Sequence, residues 1–177
     1  MNLVLCGFMG SGKTSLLRKL ERGGSYLMER VSFFDMDDLI LKNDPEFETL
    51  DQLIDNLGLE SFREMEHSLL RNILDIGDQE SHQVVALGGG TLSREARKLI
   101  FNVPETTLFW LDISFRQCVR NIRQDRAVVR PLARRGDHYL HELYRERGEI
   151  YSMSDIRLKP EMIERVNSVD ELIMLIN

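Results

Sequence analysis

A glycine-rich loop with a lysine near its end constrains this chain more than any other stretch. It reads Gly7-Phe8-Met9-Gly10-Ser11-Gly12-Lys13-Thr14 and fits the pattern G-x-x-x-x-G-K-[ST] in full. An apolar run precedes it and a helical pattern follows it, which are the flanks that this motif requires. Glycines let successive backbone N–H groups turn toward phosphate oxygens, and the following helix adds its positive end. The loop therefore predicts a nucleotide phosphate site, with Lys13 on the β- and γ-phosphates and Thr14 on Mg²⁺.

The loop defines the phosphate donor and leaves the acceptor open. GTPase switches share the motif, but they also carry a guanine signature, Asn-Lys-x-Asp. The sequence lacks this signature, and Lys42-Asn43-Asp44 does not supply it. ATP is therefore the expected nucleotide.

Short apolar runs alternate with amphipathic helical stretches along the whole chain. Five runs read as strands, at 3–6, 31–34, 83–87, 106–111 and 156–158, and a closing helix is predicted at 168–176 with Ser168 as its N-cap. This alternation is typical of right-handed crossovers, and it predicts an α/β fold with a parallel sheet between two helical layers. At 177 residues, without a linker or an internal repeat, one domain is expected. Ligands of such sheets bind at the carboxyl ends of the strands.

Composition limits the kinds of partner that the chain can bind and the cellular compartment in which we expect it. A net charge of −6 argues against binding to nucleic acid or to a membrane surface. The apolar N-terminal run is too short for a signal peptide, and no stretch reaches the ~20 apolar residues of a membrane span. Two cysteines do not make a disulfide framework. We therefore expect a cytoplasmic protein. We also expect a monomer with a small-molecule partner, although composition does not determine the oligomeric state.

Two acidic side chains follow the second predicted strand. Asp35 and Asp37 are two positions apart, so an extended chain places both carboxylates on one side. One of them could hold Mg²⁺ through water while the other faces an acceptor hydroxyl. The alternative is the start of a helix, where acidic residues are also favoured. We prefer that alternative for Asp38 alone.

The ends of the third and fourth predicted strands are more ambiguous. Gly88-Gly89-Gly90 permits close approach of the backbone to a ligand, but an ordinary turn before a helix capped by Ser93 explains it equally well. Asp112 ends a strand that resembles a Walker-B strand. The start of the next helix, with Ser114 as its cap, is the preferred interpretation of Asp112.

Arginine is concentrated in one segment of the second half of the chain. Between Arg116 and Arg147 there are nine arginines, no lysine and four acidic residues. A solvated helix face or a nucleic-acid patch would explain the charge, but the exclusive use of arginine favours bidentate recognition of phosphate and carboxylate. Residues 124–137 lack helical periodicity and predict a flap that can bring an arginine to the transferring phosphoryl group. Arg63, taken alone, reads as a surface residue next to Glu66.

Together these motifs resemble the shikimate kinase family, within the nucleoside-monophosphate-kinase-like P-loop kinases. From the phosphate loop onward the matching segments are Asp35-Met36-Asp37, Phe62-Arg63-Glu64-Met65-Glu66, Gly88-Gly89-Gly90, Arg130-Pro131-Leu132, and Arg147 with Tyr151. The resemblance implies a single kinase domain over 1–177, with a five-stranded parallel sheet, a substrate-binding helical segment at about 35–65 and a lid at about 124–137. The implied reaction converts ATP and shikimate into ADP and shikimate 3-phosphate, a step of chorismate and aromatic amino-acid synthesis.

The resemblance also implies a role for each matching position. Contacts to ATP fall on Gly10, Ser11, Gly12, Lys13, Thr14, Ser15, Arg123, which would stack on adenine, and Arg130, the lid arginine. Thr14 and Asp35 would bind Mg²⁺. The acceptor is surrounded by Asp37, Arg63, Gly88, Gly89, Gly90 and Arg147, with the two arginines on its carboxylate. The implied catalytic set is Lys13, Asp37 and Arg130, with Asp37 as the candidate base.

Two alternatives remain at this point. The nearest is another small-molecule kinase that acts on gluconate or a nucleotide, and the more distant is a nucleotide-binding regulatory module without turnover. After Asp155 the sequence departs from the family's adenine-loop pattern, so the C-terminal adenine contacts are left unassigned.

Overall fold

Strands and helices alternate along the chain, as the apolar runs predict. The computed structural model describes residues 1–28, 30–75, 82–124 and 136–176. Its elements in order are β1 (Asn2–Cys6), α1 (Lys13–Gly23), β2 (Val31–Asp35), α2 (Met36–Asn43), α3 (Leu50–Leu57), α4 (Leu59–Asp75), β3 (His82–Ala86), α5 (Arg94–Asn102), β4 (Thr106–Leu111), α6 (Phe115–Gln124), α7 (Asp137–Tyr151), β5 (Ile156–Leu158), α8 (Pro160–Arg165) and α9 (Val169–Ile173). All five predicted strands are present within one residue of their expected starts, and the predicted fold class is confirmed.

The five strands form one sheet in the order β2-β3-β1-β4-β5, and every pairing is parallel. The chain leaves β1 toward one edge of the sheet and later crosses to the other edge, so β1 lies where the strand order reverses. Leu5 is level with Ala86 of β3, which is level with Asp35 of β2. The carboxyl ends of these three strands therefore meet at one place, which is where ligands bind in sheets of this type.

Side chains of the sheet alternate between two apolar cores. Val4 and Cys6 of β1 face a core made with α4, α5, α6 and α7, whereas Leu3 and Leu5 face a core made with α1 and α9. All five residues of β1 are buried, as the central strand of a doubly covered sheet requires. The sheet thus holds the loop that follows β1 on a rigid base.

A third, smaller core lies under the helices α2, α3 and α4. It consists of Ile40, Leu53 and Phe62, all of which are buried. Helices α2 and α3 and the start of α4 lie in the region, about 35–65, where the family resemblance implies a substrate-binding segment. Their packing gives this region its own apolar support, separate from the two main cores.

The chain's second half differs from the sequence expectations in detail. Ser168 is the N-cap of α9, as predicted, and its hydroxyl accepts a hydrogen bond from the N–H of Glu171 at 3.3 Å. However, α9 ends at Ile173, and the short helix α8 begins at Pro160, where proline starts a helix without losing a hydrogen bond. Arg130 and most of the predicted lid, residues 125–135, lie outside the described residues. In the described part of the chain no helix is both long and apolar enough to cross a membrane.

Candidate active site

The phosphate loop between β1 and α1 has a backbone that favours glycine at three positions. The φ angles are 148° at Gly7, 76° at Gly10 and 91° at Gly12, values that residues with a Cβ rarely adopt. Gly10 also has no space for a side chain, because a Cβ there would lie 2.5 Å from the carbonyl oxygen of Cys118. Gly12 is the N-cap of α1, so the loop leads directly into the positive end of that helix.

Lys13 and Ser11 both point their polar groups into this loop. The Nζ of Lys13 donates to the carbonyl oxygens of Gly7 at 2.8 Å and Phe8 at 3.3 Å, and the side chain is buried. The buried hydroxyl of Ser11 has no hydrogen-bond partner among the described residues. A buried hydroxyl without a partner costs free energy, and a phosphate oxygen would supply the missing acceptor. The loop therefore fits a phosphate group.

Asp35 lies beside the phosphate loop and joins it to the next helix. Its Oδ2 accepts a hydrogen bond from the Thr14 hydroxyl at 2.7 Å. Its Oδ1 accepts from the N–H of Asp37 at 3.1 Å, so Asp35 is also the N-cap of α2. The two interpretations of this residue, site and helix start, are thus compatible. A hydroxyl and a carboxylate at one point are ligands that suit Mg²⁺, so Thr14 and Asp35 fit a magnesium ion.

Asp37 lies against the first glycine of the triple-glycine turn. A Cβ on Gly88 would lie 2.7 Å from Oδ1 of Asp37 and 2.8 Å from Oε1 of Glu66. Both carboxylates therefore approach the backbone at this end of the turn, where a larger residue would displace them. Gly88 is needed at this point for the close approach that the sequence left open.

Arg63 and Arg147 meet at the other end of the same turn. A Cβ on Gly90 would collide with the guanidinium of Arg63 and lie 2.8 Å from Nη2 of Arg147. Arg63 comes from α4 and Arg147 from α7, and both are partly buried. Burial lowers the pKa of Arg147 from its ordinary value, and the nearby charge of Arg63 lowers it further. The two cations thus form a local positive site in an acidic protein.

The buried carboxylate of Glu66 holds the guanidinium of Arg63 in place. This role of Glu66 was not expected from the sequence. Its carboxylate is 1% exposed and accepts from the guanidinium of Arg63 and from the hydroxyl of Thr91, which is fully buried. A buried charge needs such partners. The available signal was a glutamate among the apolar positions of α4, where a charged residue is unexpected. Arg63 itself is not the surface residue that it resembles when taken alone.

Gly89, the middle glycine, joins the turn to the phosphate loop. A Cβ there would lie 3.2 Å from the backbone nitrogen of Met9, so the two loops are packed together. Its carbonyl oxygen accepts from Nη1 of Arg147 at 2.6 Å and from the hydroxyl of Tyr151 at 2.8 Å. The turn, the phosphate loop and α7 therefore form one connected unit.

Helix α6 also contacts the phosphate loop, through a residue that the sequence did not single out. Nδ2 of Asn121 donates to the carbonyl oxygen of Gly10 at 2.7 Å, and Oδ1 of Asn121 accepts from Gln117 at 2.8 Å. No local pattern indicates this contact, because Asn121 and Gly10 are far apart along the chain.

Two further expected positions lie at the rim. Arg123, at the end of α6, donates from Nη2 to both carboxylate oxygens of Asp137 at 2.8 Å, and both side chains are exposed. Its contact to adenine stays a prediction. Oδ2 of Asp112 accepts from Nε of Arg157 at 2.7 Å and lies 2.7 Å from Nη2 of the same guanidinium. The Ser114 hydroxyl accepts from the N–H of Gln117 at 3.4 Å. Ser15 is exposed in the first turn of α1.

Comparison with known proteins identifies the family and the fold. A family model for shikimate kinase matches residues 9–177. The chain is 32% identical to a shikimate kinase of Streptococcus suis over 177 aligned residues, which cover 93% of this chain and 97% of that protein. The crystal structure of shikimate kinase from Aquifex aeolicus has a TM-score of 0.72 and 26% identity, over 98% of this chain and 95% of that one. A shikimate kinase from Acinetobacter baumannii in complex with shikimate shares the fold, with a TM-score of 0.75 and 20% identity over 98% and 92% of the two chains. This chain belongs to the shikimate kinase family.

Proposed function

We propose that this chain is a shikimate kinase whose acceptor site is the triple-glycine turn with Asp37 at one end and two arginines at the other. It transfers the γ-phosphoryl group of ATP to a hydroxyl of shikimate, as its family membership indicates. The residue roles are those that the family resemblance implies, and the geometry of the described residues supports the roles at the phosphate loop and the triple-glycine turn.

One observation carries the acceptor assignment. Arg63 and Arg147 converge on Gly90, and Gly89 of the same turn packs on Met9 of the phosphate loop. Paired guanidinium groups favour a carboxylate, because each offers several donors in a fixed plane. An acidic small molecule bound there lies next to the phosphate loop, which is what transfer between the two requires.

The distance between the two ends of the turn also matches the size of a small cyclic acid. Gly88 and Gly90 are two residues apart, so their Cα atoms are separated by at most about 7 Å. Asp37 lies at Gly88 and the arginines lie at Gly90. Shikimate carries a carboxylate and neighbouring hydroxyls on one ring. We infer that its carboxylate lies on the arginines while a hydroxyl lies on Asp37.

The donor side would use the residues of the phosphate loop. Gly10, Ser11, Gly12, Lys13, Thr14 and Ser15 would hold the phosphates of ATP, with Lys13 on the transferring group. Thr14 and Asp35 would hold Mg²⁺, which offsets the negative charge of the phosphates when it is bound. Arg123 at adenine and Arg130 at the phosphates complete this proposal, and Arg130 lies outside the described residues.

During transfer, the acceptor oxygen bonds to the γ-phosphorus while the bond from that phosphorus to the oxygen of the leaving ADP breaks. The hydroxyl proton passes to Asp37. Since the transition state of phosphoryl transfer is loose, Asp37 contributes more by orienting the hydroxyl than by removing its proton early.

We further propose that the enzyme works as a monomer in the cytoplasm, with no nucleic-acid or membrane partner. Cys6 and Cys118 are free and buried, which is typical of proteins from reducing compartments. Burial raises the pKa of the Cys6 thiol to about 12 and that of the Cys118 thiol to about 11, so neither is reactive at neutral pH.

An acceptor comparison tests the proposed function. ADP release is measured with shikimate, shikimate methyl ester, gluconate and a nucleoside monophosphate. We expect shikimate to exceed its methyl ester by about a hundredfold in kcat/KM, because the ester removes the charge that the two guanidinium groups bind. Lys13→Met serves as the inactive control.

Two results would contradict the proposal. Equal turnover of shikimate and its methyl ester would show that the two arginines do not bind the carboxylate of the acceptor. Turnover of gluconate or of the nucleotide without turnover of shikimate would overturn the acceptor itself.

A further inference from the structure

The carbonyl group of Gly89 lies at the centre of the acceptor turn and is held from one side by two donors. The N–H of Thr91 donates to the carbonyl oxygen of Gly88 at 3.2 Å, which closes a turn with Gly89 and Gly90 in the middle. Nη1 of Arg147 and the hydroxyl of Tyr151 both donate to the Gly89 oxygen, at 2.6 Å and 2.8 Å. Both lone pairs of this oxygen are therefore used.

Holding this oxygen determines the direction of the next N–H group. A trans peptide is planar, and its carbonyl and the following N–H point in opposite directions. Since the Gly89 oxygen points toward α7, the N–H of Gly90 points to the opposite side of the turn. Glycine has little intrinsic preference for one backbone conformation, so a run of three glycines needs outside contacts to keep one orientation.

Tyr151 is well suited to give that support. Its side chain is 3% exposed, and its ring packs on Trp110 with centroids 6.3 Å apart. Trp110 is itself covered by the guanidinium of Arg157 at 4.7 Å from the ring centroid. Burial raises the pKa of Tyr151 well above its ordinary value, although Arg147 lowers it in part, so the hydroxyl remains a donor at every working pH.

The second donor, Arg147, has another task under the proposed function. One of its nitrogens holds Gly89, while Nη2 lies next to Gly90. When a carboxylate competes for this guanidinium, the Gly89 oxygen keeps its place only if another donor holds it. The Tyr151 hydroxyl is that donor among the described residues.

We propose that Tyr151 is a positioning residue for the acceptor: its hydroxyl holds the Gly89–Gly90 peptide in place and thereby places Arg147 against the acceptor carboxylate. The proposal rests on the proposed function. Tyr151 does not touch the reacting atoms, and it acts through the turn and through Arg147.

Tyr144 offers a matched control on the same helix. Its hydroxyl donates to the carbonyl oxygen of Ile113 at 2.9 Å, which is again a bond from a tyrosine to the backbone. Tyr144→Phe and Tyr151→Phe each remove one oxygen atom and keep the ring. The two variants therefore differ in which carbonyl loses its donor.

The experiment measures KM and kcat for shikimate and for ATP in the wild type and both variants. Binding of shikimate is followed in parallel through the fluorescence of Trp110, which is the one tryptophan of the sequence. We expect Tyr151→Phe to raise the KM and the dissociation constant of shikimate about fivefold to tenfold, the usual effect of losing one neutral hydrogen bond. The KM of ATP and the thermal midpoint should stay close to those of Tyr144→Phe.

Each other result has a defined meaning. An unchanged shikimate KM in Tyr151→Phe, or an equal rise of the KM values for shikimate and ATP, would overturn the role of Tyr151 while the proposed function stands. A wild-type protein that binds and phosphorylates no shikimate would overturn the proposed function, and the role of Tyr151 with it.

Discussion

At the scale of single residues, the site depends on the absence of side chains as much as on their presence. Arg63 and Arg147 carry like charges to one point, which is unfavourable unless something compensates them. Glu66 compensates Arg63 from a buried position, and Gly90 leaves the space in which the guanidinium groups meet. An anionic acceptor would bind to charges that are already held in place, so little ordering is needed when it binds.

Gly90→Ala tests this use of space. We expect the added Cβ to displace both guanidinium groups and to weaken shikimate binding by about tenfold to a hundredfold, because a small displacement of positioning groups is costly in catalysis. The KM of ATP should change little. Steady-state kinetics with each substrate varied in turn gives the comparison.

Gly148→Ala is the control for the same substitution. Its added Cβ meets no atom within 4 Å, and it lies inside α7, where alanine is favoured over glycine by about 1 kcal/mol. It should therefore leave shikimate binding intact and raise the thermal midpoint slightly. If Gly90→Ala behaved in the same way, the proposed meeting of the arginines would be wrong.

At the scale of elements, α6 connects the phosphate loop to the segment that begins after Gln124. Cys118 and Asn121 of this helix both lie against Gly10, the first by close packing and the second by a hydrogen bond. Arg123 at its end pairs with Asp137 at the start of α7. A displacement of α6 would therefore act on the phosphate loop directly.

Asn121→Ala removes the bond from α6 to the loop. We expect the KM of ATP to rise about fivefold to tenfold, since the carbonyl of Gly10 loses its donor and the loop its support. The KM of shikimate should stay within about twofold, because Asn121 does not contact the acceptor turn. Arg116→Ala, an exposed change on the same helix, is the control and should alter neither value. A rise in the shikimate KM alone would contradict this assignment.

At the scale of the whole molecule, the last helix, α9, is hydrogen-bonded to the segment that follows α1. The carboxylate of Asp170 on α9 accepts hydrogen bonds from the hydroxyl of Ser25 and from the N–H groups of Tyr26, at 2.7 Å, and Leu27, at 3.4 Å. Burial acts to raise the pKa of this carboxyl, but the hydrogen bonds outweigh it and the pKa is lowered. The ionised form is thus the one that stabilises the fold.

The sign of this shift gives a prediction for Asp170→Asn. Because the pKa is lower in the folded state, the contribution of Asp170 is present above the unfolded value of about 4 and is lost as the pH falls through the folded value. At pH 7 we expect the variant to unfold about 4–8 °C below the wild type, since hydrogen bonds to a charged acceptor are worth about 2 kcal/mol.

Thermal unfolding between pH 7 and pH 3 supplies the test. The gap between wild type and Asp170→Asn should narrow below about pH 4 as the wild-type carboxylate takes up its proton. Glu161→Gln, a change of an exposed carboxylate on α8, should show no comparable gap. A gap that is independent of pH would show that the charge of Asp170 is not the cause.

Local patterns of neighbouring residues carried most of the fold prediction. The phosphate loop, the five strands and the Ser168 cap each depend on residues that are close in the chain, so periodicity and motif spacing are enough to find them. Periodicity misjudged the end of the closing helix, because helix ends depend on local packing. The expectation that Asp35 and Asp37 belong to the site followed from their position after a strand. The family resemblance supplied the expected identity of the acceptor, shikimate.

The sequence by itself thus determined the phosphate loop, the parallel α/β sheet and the membership of the family. Only the tertiary structure decided the contacts of the proposed acceptor site and of the phosphate loop. Glu66 is a buried partner of Arg63, Gly90 leaves the space in which two arginines meet, and Tyr151 and Asn121 donate to backbone carbonyls of two loops. These contacts join elements that are far apart in the chain, and the order of strands in the sheet brings them together. A single side chain in the sequence carries no mark of such a partner, because its burial and its charge environment exist only after the sheet and its helices have packed.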